Sequence, residues 1–375
     1  VTTAAVAPGA ASARFSRTRE GATVLAVYLV SIAVALLVAA LALWATGGSP
    51  TTVLSAMLDG SVRADARWGR TIGEAIPLLL VALGTTVNAK AGLVNIGQEG
   101  QLFVGAALAT YTFTHIGVSG PFVLILIMLA GVAGGALWAG IASVLRYRRR
   151  MPEVLTTLLL VFVAAQLVGY GLKNSNLLLD PTPDQANRLL VSERLDPSTR
   201  LPRLRWFGNE FPVSAFVALA LAVVVALVLS RTIVGFRLQM LGRGPRTAHR
   251  AGVSESRYGG MALVVSGAFC GLAGAFMLVG GDFGNYRLTP GFAVNIGWEG
   301  LLVALVARSH PIVAIPAAFV FAALRTGSGF LAATGVDRDI TKVVQALLVL
   351  ALLVPPAILF VRDRRRALAA ARDRV

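Results

Sequence analysis

Residues 94–100 read Val-Asn-Ile-Gly-Gln-Glu-Gly, and residues 294–300 read Val-Asn-Ile-Gly-Trp-Glu-Gly. Six of seven positions match at a displacement of two hundred residues, and a glycine precedes each copy (Gly92, Gly291). Each copy sets an Asn and a Glu four residues apart, on one face of a helix, with glycines beside them. Paired motifs of this kind in the two halves of a membrane chain point to structural repeats built from interrupted helices. That interpretation requires the flanking sequence to be membrane-embedded, and its composition says that it is.

The 375 residues are 56% hydrophobic and only 14% charged, against about 25% charged in an average soluble domain. An ordinary soluble enzyme is thereby excluded. Thirty-nine glycines suit helices that approach closely in a bilayer. A single cysteine, Cys270, excludes a disulfide scaffold. The net charge of +16 does not indicate nucleic acid. The basic residues sit in short clusters between apolar runs, with no basic face interleaved with stacking aromatics.

A membrane-spanning helix needs about 20 mostly apolar residues. Ten stretches qualify: 24–46, 73–89, 97–116, 121–145, 152–173, 212–230, 259–281, 291–307, 311–330 and 341–361. The first follows Arg14, Arg17 and Arg19 but is too long for a signal-peptide core, and reads as an anchor. Stretches 73–89 and 291–307 are short and interrupted by Gly, Pro or polar residues, as broken or re-entrant helices are. The expected fold is an all-α polytopic membrane protein of about ten transmembrane helices. An even number of spans puts both termini on one side. With that side inside, inner segments hold 21 of the 34 basic residues and only five acidic ones, whereas outer segments hold 12 basic residues largely balanced by acids. The positive-inside rule therefore predicts two cytoplasmic termini in the cytoplasmic membrane. With this topology the motif at 94 runs outward and the motif at 294 runs inward, so the halves, about 73–173 and 259–361, are inverted repeats. Residues 1–20 read as a disordered cytoplasmic tail and 361–375 as a basic cytoplasmic tail. The proline-rich outer connection 174–211 either folds over the outer mouth or stays mobile.

A glutamate in hydrocarbon is costly unless it meets a partner or a wet cavity, so Glu99 and Glu299 are functional candidates. Together with Asn95 and Asn295, they either line a polar route for a solute or cap helix breaks and lock the halves together. Asn88, Gln98 and Trp298 are the better candidates for solute contact, since an amide or indole can hold a neutral ligand without a charge cost. The pairs Gly131/Gly135 and Gly267/Gly271 have the small-xxx-small spacing of packed helices.

Several chemistries have no residues to support them. The three lysines, Lys90, Lys173 and Lys342, follow Ala, Leu and Thr, so there is no Gly-Lys pair and no phosphate-cradling loop of that kind. His115, His249 and His310 have no metal-ligand spacing, which speaks against a metal site. Gly117-Val118-Ser119-Gly120 looks like the nucleophile motif of rhomboid proteases, but it lies in a tight outer turn with no histidine following at similar depth. The inner loop 231–258 alternates arginines with small residues around a short helical stretch from Pro245 to Ala251. It either faces anionic lipid or docks a cytoplasmic partner.

The run Asn88-Ala89-Lys90-Ala91-Gly92-Leu93-Val94-Asn95-Ile96-Gly97-Gln98-Glu99-Gly100-Gln101 resembles the signature of permease subunits in bacterial ABC importers of nucleosides and simple sugars. Glu153–Thr157, Gly242–Gly252 and Gly291–Arg308 with Pro311 resemble the same family, and the likeness covers about residues 70–360. Gln98 departs from it, standing where a small residue is usual. The resemblance implies a ribose-permease-like, type II importer subunit, paired as a homo- or heterodimer with the solute path at the dimer interface. Two cytoplasmic ATP-binding subunits would carry the ATP and Mg, an extracytoplasmic binding protein would deliver solute, and this chain would hold no cofactor. Within the Gly242–Gly252 loop, Arg243, Arg246, Ala248, Arg250 and Gly252 inherit the docking role. Nucleosides are the expected solute, with a simple sugar as the alternative and branched-chain amino acids more distant. A transporter driven by an ion gradient through Glu99 and Glu299 is the competing class, and a membrane enzyme lacks a nucleophile or metal constellation.

Overall fold

The computed structural model describes residues 50–331 apart from 182–189, 207, 284 and 293–294, with scattered positions from 26 to 44 and from 343 to 365. The chain divides into two compact units. One combines Val1–Met57 with Ser328–Val375, and its described positions between 26 and 44 and between 343 and 365 are helical. The expected first and last spans lie mostly outside the described residues, as do the tail 1–20 and residues 366–375. The other unit, Leu58–Gly327, holds both motif copies.

The helices in chain order are α1 (Pro50–Leu58), α2 (Arg67–Lys90), α3 (Gln98–Ile116), α4 (Pro121–Arg149), α5 (Glu153–Gly171), α6 (Ser214–Arg231), α7 (Ile233–Arg243), α8 (Pro245–Arg250), α9 (Glu255–Gly280), α10 (Ile296–Val306) and α11 (Pro311–Leu331). Among the described residues, six helices are long and apolar enough to cross a membrane: α2, α4, α5, α6, α9 and α11. The chain is thus a multi-pass, predominantly helical membrane protein. α10 differs. Its 11 residues rise about 16 Å, roughly half of a 30 Å hydrocarbon core, so the stretch expected at 291–307 becomes helical only from Ile296.

Local chemistry sets the helix ends. Pro121 opens α4 with its fixed φ after Gly120, and the Ser254 hydroxyl accepts the Arg257 N–H to cap α9. Gly281, at φ +77°, closes α9, a backbone state glycine enters without a Cβ penalty.

α9 lies at the centre, packed on α2, α3 and α4. The approach is made by glycine. A Cβ on Gly271 would lie 2.0 Å from the Gly131 carbonyl oxygen, and one on Gly135 would lie 2.1 Å from that of Gly267. From α3, a Cβ on Gly105 would meet the Gly271 Cα at 2.4 Å. The expected small-xxx-small pairs are therefore the contact itself, where only glycine lets the backbones meet.

The outer connection is folded where it is described. Strands β1 (Arg203–Trp206) and β2 (Asn209–Pro212) form an antiparallel hairpin, an addition to the all-α expectation. Before it, Ser192 N–H donates to Leu288 O (3.0 Å) and Leu195 N–H to Tyr286 O (3.0 Å). Arg203 donates to Asp282 (2.6 Å) and to the Gly280 carbonyl (2.6 Å). The connection therefore lies against the residues that leave α9 and lead toward the second motif.

Candidate functional site

The first motif copy occupies a break between two helices. α2 ends where Gly92 takes φ +73°, with Gly92 N–H donating to Ala89 O and Leu93 N–H to Asn88 O. Residues 91–97 are non-helical, and α3 starts at Gln98. Side chains fasten this turn from within. The Asn95 and Gln101 amides exchange hydrogen bonds (3.0 and 3.2 Å), Asn95 also donates to the Ser266 hydroxyl of α9 (3.1 Å), and its carbonyl oxygen accepts the Gly97 N–H (2.9 Å). Ile96 N–H donates to the Thr157 hydroxyl of α5 (3.2 Å). With its amide satisfied at both ends and 2% exposed, Asn95 holds the break in shape.

The second copy meets the first. Asn295 adopts the left-handed conformation (φ +68°), and its N–H donates to Glu99 Oε1 at 2.9 Å. Glu99 thus sits at the N-terminus of α10, where unpaired amides and the helix dipole favour negative charge. Gly297 lets this happen: a Cβ there would lie 2.4 Å from Glu99 N. The motif's glycines contact different partners in the two copies, Gly97 the Thr157 carbonyl, Gly100 the Val161 Cα, and Gly300 the Val81 side chain.

Glu299 has a different role from Glu99. Arg325 of α11 reaches Glu299 Oε1 (3.2 Å) and Glu74 Oε2 of α2 (3.3 Å), and Arg70 lies 3.7 Å from Glu74. The two carboxylates share one guanidinium in a largely buried cluster, as charges inside a membrane must. Of the two roles open to the glutamates, the geometry favours locking, by a helix cap in one copy and an ion cluster in the other.

The remaining candidates stand apart. Asn88 is 1% exposed, and among the described residues neither its amide nitrogen nor its carbonyl oxygen has a hydrogen-bond partner. Gln98 is equally buried and donates to the Thr85 hydroxyl (3.1 Å). Trp298, beside the capped terminus of α10, is 40% exposed. None of the candidate residues lines the apolar hollow between α2, the hairpin, α6 and α11, which is walled by Ile76, Leu79, Phe211, Phe216 and Phe319 among others.

Residues 69–353, well over half of the sequence, match the family described as branched-chain amino acid transport system / permease component. The chain belongs to this permease family. It is 30% identical to a glucose ABC transporter permease protein of Haloferax volcanii over 87% of this chain and 86% of the relative. It is 26% identical to a nucleoside ABC transporter permease protein of Lactococcus lactis (86% and 88%) and 28% identical to a guanosine ABC transporter permease protein of Bacillus subtilis (91% and 96%). Membership implies that ATP hydrolysis belongs to a separate subunit and that the permease works with that subunit and a binding protein.

The residues expected to face the ATP-binding subunit gather at the turn between α7 and α9 of the permease. Arg243, Arg246 and Arg250 are exposed on or beside α8, and Gly252 (φ +77°) is exposed where the chain leaves it. Ala248 is fully buried, so it anchors α8 to the protein instead of meeting a partner. Nearby, Arg146 ties the end of α4 to Glu153 at the start of α5 and to Glu255 at the start of α9.

Sequence reasoning passed over Glu74, and gave Thr157 no role beyond its place in the family-like stretch Glu153–Thr157. Glu74 carried a signal, because Arg70 and Glu74 have ion-pair spacing at the head of a span, and a cation such as Arg325 inside another span requires carboxylates.

Proposed function

We propose that this permease forms the translocation path for nucleosides in an ATP-driven importer. Trp298 carries the preference for nucleosides. It is a half-exposed indole next to the junction of the two motif copies, and an aromatic face of this kind stacks on a flat base while its neighbours hydrogen-bond. Asn88 supports the same path, since a buried amide with both donor and acceptor unpaired is expensive unless something satisfies it during the cycle. Asn95, Gln98, Glu99, Asn295 and Glu299 shape the path from behind. A simple sugar is the second candidate, favoured by the 30% identity to a glucose permease and by the ability of an indole to stack on a sugar ring.

The same proposal includes ten spans in two inverted halves, both termini in the cytoplasm, and cytoplasmic tails at 1–20 and 361–375. It includes a second permease subunit, identical or related, with the path between the two. ATP and Mg would reside on the ATP-binding subunit, docked through Arg243, Arg246, Arg250 and Gly252 with Ala248 as the inward anchor. Alternating access would follow as the motor shifts populations between outward- and inward-open forms. The test is reconstitution with the ATP-binding subunit and binding protein, followed by a screen of nucleosides and simple sugars for stimulated ATP turnover. Nucleoside stimulation that falls on Trp298→Ala is expected. Stimulation by sugars alone would transfer the assignment to the second candidate.

A further inference from the structure

α7 ends in direct backbone contact with the loop that carries the first motif. A Cβ on Gly242 would lie 2.4 Å from the Lys90 carbonyl oxygen and 2.8 Å from Gly92 N. A Cβ on Gly92 would lie 2.9 Å from the Gly242 Cα, and Gly92 holds φ +73°, which resists any other residue. Neither chain can yield by rotating a side chain, because the contact has none. On one side of it, α8 is fastened to α7 through Gly244 N–H to Met240 O (3.1 Å) and Ala248 N–H to Gly244 O (2.9 Å), with Val253 N–H closing onto Ala248 O (2.9 Å). On the other side, the non-helical segment 91–97 runs from Gly92 to Asn95 and α3, whose Glu99 caps α10.

We propose that the Gly92–Gly242 contact is the joint through which displacement of α8 moves the break at residues 91–97, and through Glu99 the N-terminus of α10. The proposal rests on the docking role of α8. Packed backbone transmits displacement because it does not compress, and a contact between glycines leaves no compliant side chain to absorb it. The joint makes Gly92 and Gly242 positioning residues, distinct from any group that touches solute or the motor.

The test uses the reconstituted complex of permease, ATP-binding subunit and binding protein. Gly242→Ala forces the two segments apart and is expected to lower the ratio of solute-stimulated to basal ATP turnover about tenfold, within the range of site-to-site coupling. Gly169→Ala, which meets nothing within 4 Å, is expected to keep the parental ratio. A parental ratio in Gly242→Ala overturns the joint. Hydrogen exchange on the unmodified complex covers the case in which Gly242→Ala does not fold. ATP binding that alters protection at 240–250 is expected to alter it at 91–97 and 295–298 as well, and a change confined to 240–250 overturns the joint. The docking role fails separately, if Arg246→Glu leaves co-purification with the ATP-binding subunit unchanged.

Discussion

Two glutamates in one repeated motif perform two tasks, and the reason lies in single residues. Asn95 folds its amide back on its own turn, whereas Asn295 takes a left-handed conformation that aims its N–H at Glu99. Glu99 is thereby drawn to a helix terminus, and Glu299 is left to share Arg325 with Glu74. The motif's Asn-Glu spacing was legible in sequence, as was the need of each carboxylate for a partner. The partners were not, because Glu74 and Arg325 are brought together only by tertiary packing over some 250 positions. Removing one partner of a buried ion pair costs about 3–5 kcal/mol, since the other charge is left uncompensated. Arg325→Met should therefore lower the melting temperature of the detergent-purified permease more than Glu299→Gln does, because the latter leaves an Arg325–Glu74 pair. Adding Glu74→Gln and Glu299→Gln to Arg325→Met should restore part of the loss. A parental melting temperature in Arg325→Met would remove the cluster from the account of stability.

At the level of elements, what was legible was whatever has a period or a spacing. The helices around 121–145 and 259–281 announce themselves by apolar length, and the α4–α9 seam by its glycine pairs, whereas 73–89, which reads as short and interrupted, is one continuous 24-residue helix with Pro77 inside it. The boundaries erred where polar residues continue a helix past its apolar stretch: α2 begins six residues early, at Arg67, and α4 runs on to Arg149. The β1–β2 hairpin was missed because its strands are four residues each and its turn is marked only by Gly208 at φ +70°. The seam makes a sharp contrast between glycines. Gly271→Ala places a methyl group 2.0 Å from a carbonyl oxygen, so α4 and α9 must separate along their length. Gly140→Ala, on α4 as well, meets nothing within 4 Å and replaces a poor helix former by the best, a gain of about 1 kcal/mol. In size-exclusion chromatography of heated samples, Gly271→Ala should lose its monodisperse peak well below the parent. Gly140→Ala should hold it at least as long. Equal behaviour of the two variants would mean that the seam tolerates side chains.

For the molecule as a whole, charge decides orientation while glycine and the motif decide packing, and the two can be tested apart. Twenty-one basic residues lie on the segments assigned to the inside, among them the exposed arginines of α8. The turn Gly117–Gly120 between α3 and α4 carries no charge and is expected on the opposite side. Nothing local in either segment states its side; only the count over all loops does, and it acts through the asymmetry of insertion. Cys270, the single cysteine of the chain, is fully buried in the middle of α9, so it is a silent background for labelling. Ser119 and His249 are both exposed. In intact cells, a membrane-impermeant maleimide should label Ser119→Cys and spare His249→Cys, and permeabilisation should expose the latter. Labelling of His249→Cys in intact cells with Ser119→Cys protected would invert the protein. The arginines of α8 would then face away from any cytoplasmic ATP-binding subunit, and the joint at Gly92 and Gly242 would have nothing to move it.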